Sequence, residues 1–111
     1  MTAQKLYELT KPLFEKHPSA KTEELCQPKY DIDGWAWKNH PLSNCRVGMS
    51  DSAAALVIQG HLIEWLTTGR TCEITTMGNE ACVAVYGAGR HYSPTLLEAL
   101  IDACMEVECS L

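Results

Sequence analysis

The stretch with the clearest capacity for ligand chemistry is residues 87–93, which read GAGRHYS. Two glycines allow backbone amides to approach a ligand closely, and Arg90 adds a guanidinium suited to phosphate or carboxylate. Ser93 followed by Pro94 predicts a helix start, whose free N–H groups favour an anion. The pattern predicts an anion or nucleotide-phosphate site. Its ligand-binding residues would be Gly87, Gly89, Arg90, His91, Tyr92 and Ser93.

The same composition also suits a plain connection between a strand and a helix. The glycine spacing in residues 87–93 matches neither a Walker loop nor the dinucleotide-binding fingerprint. The alternative interpretation is therefore an exposed, flexible link that carries polar side chains and binds nothing.

Trp35 and Trp37 form the second candidate group. Residues 30–38 predict a strand, and side chains two positions apart lie on the same side of a strand. Such a pair can stack a base or another planar ligand. It can equally form part of the core beneath a helix or a contact between subunits.

No complete catalytic or metal-binding constellation is visible. His61 lies in the apolar stripe of a predicted helix without a second histidine at metal-ligand spacing, and no serine sits in a G-x-S-x-G elbow. Cys45 precedes Arg46, which lowers a thiol pKa, but no base partner is identifiable. We expect no metal and no cofactor, and binding without catalysis is the favoured interpretation, with enzymatic activity left open.

The composition argues against nucleic-acid and membrane partners. The 111-residue chain has a formal net charge of −5, and its nine Lys and Arg residues are spread along it instead of forming a basic stripe. No segment approaches the ~18 consecutive apolar residues of a membrane span. The N-terminus also lacks the apolar stretch of a signal peptide, so we expect a soluble, cytoplasmic protein.

The elements that would position these residues alternate between helix and strand. We expect an α+β fold in which a three-stranded, mostly antiparallel sheet packs with helices in αβα-type layers, in the order α-β-α-β-β-α. The predicted domain is single, spanning 1–111, with a helical N-terminal extension over 1–29 and a sheet-and-helix core over 30–108. The predicted elements are a helix over 2–17 interrupted or kinked at Pro12, a strand over 30–38, a helix from Ser50 or Ser52 to Gly69, strands 72–77 and 81–86, and a helix from Ser93.

Three stretches together resemble the small phage proteins of the phage ABA-sandwich domain type. They are residues 33–38 (DGWAWK), residues 49–55 (MSDSAAA) opening a helix that ends at 64–66 (EWL), and residues 92–100 (YSPTLLEAL). The resemblance covers about 30–107 and implies an αβα-layered fold, a phage origin and a host-directed role, including interference with bacterial defence. It implies no particular catalytic residues.

Two functions from different classes follow as hypotheses. The first is a phage-type accessory protein that binds and sequesters a small anionic, nucleotide-derived ligand in the host cytoplasm and so counters defence signalling. The second is a protein–protein inhibitor of a host defence enzyme or nuclease, without a small-molecule site. Because a three-stranded sheet leaves edges that need covering, we expect a homo-oligomer, most simply a dimer.

The six cysteines should be free thiols, since no secretory signal is present and no C-x-x-C pair suggests zinc. We expect all six to react with a thiol reagent after denaturation without reductant. Two or more disulfides in freshly prepared protein would contradict the cytoplasmic assignment.

Overall fold

The computed structural model describes residues 1–17, 27–38 and 47–109. It has an α+β fold, as predicted, with three helices and two antiparallel three-stranded sheets in the described residues. The helices and strands are α1 (Ala3–Glu15), β1 (Gln27–Asp31), β2 (Gly34–Lys38), β3 (Gly48–Met49), α2 (Asp51–Thr67), β4 (Cys72–Met77), β5 (Glu80–Val85), β6 (Gly89–Ser93) and α3 (Leu96–Cys109).

The chain divides into two compact units, Met1–Ile58 and Gln59–Leu111, and the division falls within α2. The predicted order α-β-α-β-β-α is present with extra strands, because the first predicted strand is a hairpin followed by a short strand, and β6 follows the second hairpin. Two sheets of three strands therefore replace the single predicted sheet, with strand orders β1-β2-β3 and β4-β5-β6.

Helix α1 begins at the predicted cap. The Thr2 hydroxyl accepts a hydrogen bond from the backbone N–H of Lys5 at 3.2 Å, which satisfies one of the free N–H groups of the first turn. Pro12 does not split the helix, which continues to Glu15. Of the predicted N-terminal extension, residues 18–26 lie outside the described residues.

The prediction of one strand over 30–38 is wrong, because residues 27–38 form a hairpin. The Asp31 carboxylate accepts a hydrogen bond from the N–H of Asp33 at 2.9 Å, and Gly34 follows with a φ of +93°. This Asx turn, completed by a glycine in the left-handed region, reverses the chain. Tyr30 thereby comes directly opposite Trp35 instead of lying on the other face of a single strand.

Trp35 belongs to the core of the first unit. Its side chain is only 2% exposed, and its ring lies 5.2 Å from that of Tyr30 and 6.0 Å from that of Tyr7, the latter edge-on. Edge-to-face and tilted aromatic pairs add to the free energy gained by burial. Helix α1 therefore packs on the tryptophan hairpin within this unit.

Helix α2 has the caps that its sequence predicts. The Ser50 hydroxyl accepts a hydrogen bond from the N–H of Ala53 at 3.1 Å, and Gly69 has a φ of +74° just beyond the helix end. Arg70 donates from Nη1 to the carbonyl of Trp65 at 2.7 Å, satisfying one of the last helical carbonyls. None of the helices in the described residues combines the length and the apolar character required to span a bilayer.

In the second unit, α3 packs on one face of the β4-β5-β6 sheet, against β5 and β6. The strands β4 and β5 form the predicted hairpin, with Met77 opposite Glu80. Along β5, Ala81, Val83 and Val85 are buried, whereas the alternating Cys82 and Ala84 are half-buried. One face of the sheet is thus covered and the other faces outwards.

The predicted loop over 87–92 is correct only for Gly87 and Ala88, which lie in a turn, and the predicted helix start at Ser93 is wrong. Residues Gly89–Ser93 form β6, which pairs with β5 so that Ser93 lies opposite Ala81. The helix begins instead at Leu96, where the Thr95 hydroxyl accepts a hydrogen bond from the N–H of Glu98 at 3.3 Å. Thr95 takes the capping role because strand pairing already holds Ser93 in an extended conformation.

Replacing Trp35 by Ala should lower the free energy of unfolding by about 3–5 kcal/mol, the usual loss for a large buried aromatic. Ile32, in the adjacent turn, is 101% exposed, so Ile32→Ala is the matched control and should stay within about 0.5 kcal/mol of wild type. Urea denaturation followed by circular dichroism measures both. Equal effects of the two substitutions would contradict the core role of Trp35.

Candidate functional site

The open face of the β4-β5-β6 sheet carries the predicted arginine. In the strand register, Ala84 of β5 lies between Glu73 of β4 and Arg90 of β6, and Cys82 lies between Thr75 and Tyr92. The small side chains of the central strand are therefore flanked by longer ones on both edge strands. This arrangement leaves a shallow channel over β5.

A tight turn between β5 and β6 forms one end of this face. The N–H of Ala88 donates to the carbonyl of Val85 at 2.9 Å, and Gly87, at the third position of the turn, has a φ of +87°. Gly89 follows with a φ of +80°. The ring Nε2–H of His91 donates to the carbonyl of Ala88 at 2.8 Å, which ties the turn to β6. Both glycines are thus required for backbone shape.

An open cavity of about 370 Å³ lies beside this turn. Its volume falls in the lower part of the range of small-molecule sites, roughly 300–1,000 Å³. The lining residues all belong to the second unit and are Thr71, Glu73, Ala84, Val85, Tyr86, Gly87, Gly89 and Arg90.

Arg90 supplies the positive charge of the cavity. Its side chain is exposed, and a side-chain hydrogen bond to Tyr92 raises the pKa of the guanidinium above its ordinary value, with smaller contributions that include the Glu73 carboxylate. The cation is therefore permanent, and the Glu73 carboxylate lies across β5 from it, on the opposite edge strand β4. A ligand that fits both groups carries an anion together with a hydrogen-bond donor.

The predicted site residues do not all lie in one place. Gly87, Gly89 and Arg90 line the cavity. Arg90 also lines a second open cavity, of about 490 Å³, with His91 and Tyr92. The remaining lining residues of this second cavity are Asp102, Met105 and Glu106. Its two carboxylates make this second cavity a poorer anion site than the first.

Ser93 and the N-terminus of α3 lie apart from the turn. The Ser93 hydroxyl donates to the Asp102 carboxylate at 3.2 Å and joins β6 to α3. The five residues of β6 separate the turn from the helix start, which at about 3.3 Å a residue amounts to roughly 16 Å. One phosphate cannot contact both, so the predicted contribution of the helix dipole does not apply to the cavity.

The tryptophans take no part in this cavity. Trp35 is a core residue of the first unit, and Trp37, two positions further along β2, is half-buried. The aromatic side chain that does line the cavity is Tyr86, which is 89% exposed.

Tyr86 and Glu73 are the site residues that sequence reasoning missed. Tyr86 ends the predicted strand 81–86 directly before Gly87. This position beside the glycine-rich stretch was the signal in the sequence that Tyr86 could belong to the site. Glu73 gave no local signal, because its place across β5 from Arg90 depends on the pairing of β4 with β5 and of β5 with β6.

Two thiols of this unit, Cys72 and Cys104, are poorly suited to nucleophilic chemistry. Burial raises the pKa of Cys104 to about 12, and burial likewise raises the pKa of Cys72 above its ordinary value. Both therefore stay protonated at neutral pH. Within residues 1–17, 27–38 and 47–109, no group of three His, Cys, Asp or Glu side chains is placed to hold a metal ion.

Comparison of the chain with protein-family models, with curated proteins and with solved structures gives no match.

Substituting Gly87 by Ala should lower the free energy of unfolding by about 1–2 kcal/mol, because a side chain is strained at positive φ. Gly78 provides the matched control, since its φ is not in that region and a Cβ atom at either glycine would meet nothing within 4 Å. Gly78→Ala should be neutral or slightly stabilising. Thermal and urea unfolding measure the difference, and equal losses in both variants would contradict the strained turn.

Proposed function

We propose that this chain is a phage-type accessory protein that binds and sequesters a small anionic, nucleotide-derived ligand in the cavity lined by Arg90. The observation that carries the proposal is the meeting of Arg90 with Gly87, Gly89 and the exposed Tyr86 around one open cavity. These are the parts from which nucleotide sites are built: a guanidinium fork, close backbone approach and a planar stacking surface.

Glu73 narrows the class of ligand. A bare phosphate or carboxylate would be repelled by the Glu73 carboxylate across the cavity, whereas a nucleotide presents a phosphate to Arg90 and base or sugar donors to Glu73. The mixed charge of the lining thus favours a nucleotide over a simple inorganic anion.

Sequestration, as opposed to turnover, fits the groups that line the cavity. Among the described residues, the lining has one permanent cation, one carboxylate and the hydroxyls of Thr71 and Tyr86, and no cysteine or histidine that could act as a thiolate nucleophile or an imidazole proton shuttle. The proposed mechanism is therefore capture: the bound nucleotide is withheld from its cellular receptor and released unchanged.

The phage origin and the anti-defence role rest on the resemblance of three sequence stretches to the phage ABA-sandwich domain type. The α+β fold with helices packed on antiparallel sheets is compatible with that resemblance. In this role the protein would act in the cytoplasm of the host bacterium, where nucleotide immune signals are produced.

Arg90→Ala should weaken nucleotide binding about ten- to hundredfold, the usual loss for a hydrogen bond to a charged group. Isothermal titration with mononucleotides, linear and cyclic dinucleotides and inorganic phosphate measures the affinities. Lys11→Ala removes one exposed positive charge that does not line the cavity and is the matched control. Mass spectrometry of ligand recovered after heat release should find it unchanged.

Three outcomes would contradict the proposal. The first is that no nucleotide binds the wild-type protein. The second is that Arg90→Ala and Lys11→Ala lose affinity equally, which would indicate non-specific attraction. The third is recovery of a chemically altered ligand, which would make the protein an enzyme.

An inhibitor of a host defence enzyme is the second candidate, and a specific observation favours it. Met77 and Tyr92, on the same open sheet face as Arg90, are 58% and 54% exposed. Exposed apolar and aromatic side chains on one face are typical of protein-binding surfaces. A Tyr92→Ala variant that loses anti-defence activity in infected cells while keeping nucleotide affinity would favour this candidate.

A further inference from the structure

The two sheets differ in how their edge strands are protected. Edge strands offer unpaired backbone groups to other chains, and charged residues, proline or short length normally prevent such pairing. In the first unit, β1 carries Pro28 and Lys29, and β3 has only two residues. In the second unit, β6 carries Arg90 and is followed by Pro94.

The last four residues of strand β4 have none of these protective features. It is six residues long, contains no Lys, Arg or Pro, and ends in ITTM. Thr75, Thr76 and Met77 are exposed, and Ile74 is half-buried. β4 is a terminal strand of its sheet, with β5 as its one paired neighbour among the described residues.

The backbone groups that β4 offers can be assigned from the ladder. The N–H of Tyr86 donates to the carbonyl of Thr71 at 3.0 Å, so this is a hydrogen-bonded pair. Such pairs alternate with non-hydrogen-bonded pairs along an antiparallel ladder. Cys72, Ile74 and Thr76 therefore direct their N–H and C=O groups away from β5, towards the free edge.

We propose that β4 is a homodimer interface, where the β4 strands of two copies pair antiparallel into one continuous six-stranded sheet. A twofold axis at Ile74 pairs that residue with itself and pairs Cys72 with Thr76 of the second copy. This register uses every outward-facing backbone group of the strand and forms about six hydrogen bonds. It also brings the two half-buried Ile74 side chains together, which removes apolar surface from water.

The single charge of β4 is compatible with pairing to a second copy and selects the antiparallel register. In this register Glu73, the one charged residue of β4, lies opposite Thr75 of the second copy, so that the two carboxylates do not face each other. A parallel arrangement in register would place them side by side and is disfavoured.

A charge swap at Thr75 tests the register. Thr75→Glu places a carboxylate directly opposite Glu73 of the second copy, twice by symmetry, and should weaken the dimer about tenfold. Thr75→Lys creates two opposite-charge pairs and should tighten it several-fold. Thr75 is exposed and lines none of the cavities described above, so neither variant should change folding. Sedimentation velocity from low to high micromolar concentration measures the dimer dissociation constants.

Removal of an outward donor supplies a second test. Thr76→Pro deletes an N–H that points away from β5 and should give a folded monomer, whereas Thr76→Val keeps the N–H and should remain a dimer. Circular dichroism and thermal melting establish whether each variant is folded. If the proline variant does not fold, the Thr75 substitutions alone test the dimer interface. A monomeric wild-type protein at high micromolar concentration, or a dimer insensitive to the Thr75 substitutions, would overturn the proposal.

Discussion

The burial of Ala81, Val83 and Val85 beneath α3 sets the geometry of the second unit. With these side chains covered, the alternation of a strand turns Cys82 and Ala84 to the opposite face. Because these two are small, the central strand forms the floor of a channel, and the longer side chains of β4 and β6 form its walls. The position of Arg90 across β5 from Glu73, and the open cavity between them, both depend on this packing.

Much of the fold could be predicted from local patterns. Thr2 and Ser50 cap their helices as expected, and the two predicted strands 72–77 and 81–86, joined by turn residues 78–80, form the β4–β5 hairpin. The wrong predictions arose where strand pairing, and not the local residue composition, determined the structure. The glycine-rich stretch 87–92 resembles a loop by residue type, but once Gly87 has turned the chain, pairing with β5 holds Gly89–Ser93 in a strand. The turn before Gly34 was missed because aromatic residues on both sides suggested one uninterrupted strand.

The candidate site was predictable only in part, and for a physical reason. Gly87, Gly89 and Arg90 are close in sequence, so a local pattern could find them. Glu73 reaches the same cavity through cross-strand register, which no local pattern encodes, whereas Tyr86 directly precedes Gly87 in the sequence. Trp35 illustrates the opposite error, since an aromatic residue on a strand has the same sequence signature whether it stacks a ligand or fills a core.

The hydrogen bond from His91 to the Ala88 carbonyl has a kinetic consequence for the capture proposed above. A turn that is already fixed by this contact and by two glycines at positive φ loses little conformational entropy when a ligand arrives. Association can then proceed at a rate set by diffusion and orientation, without waiting for a segment to become ordered. If the cavity captures a nucleotide signal as proposed, the speed of this encounter matters as much as the strength of binding.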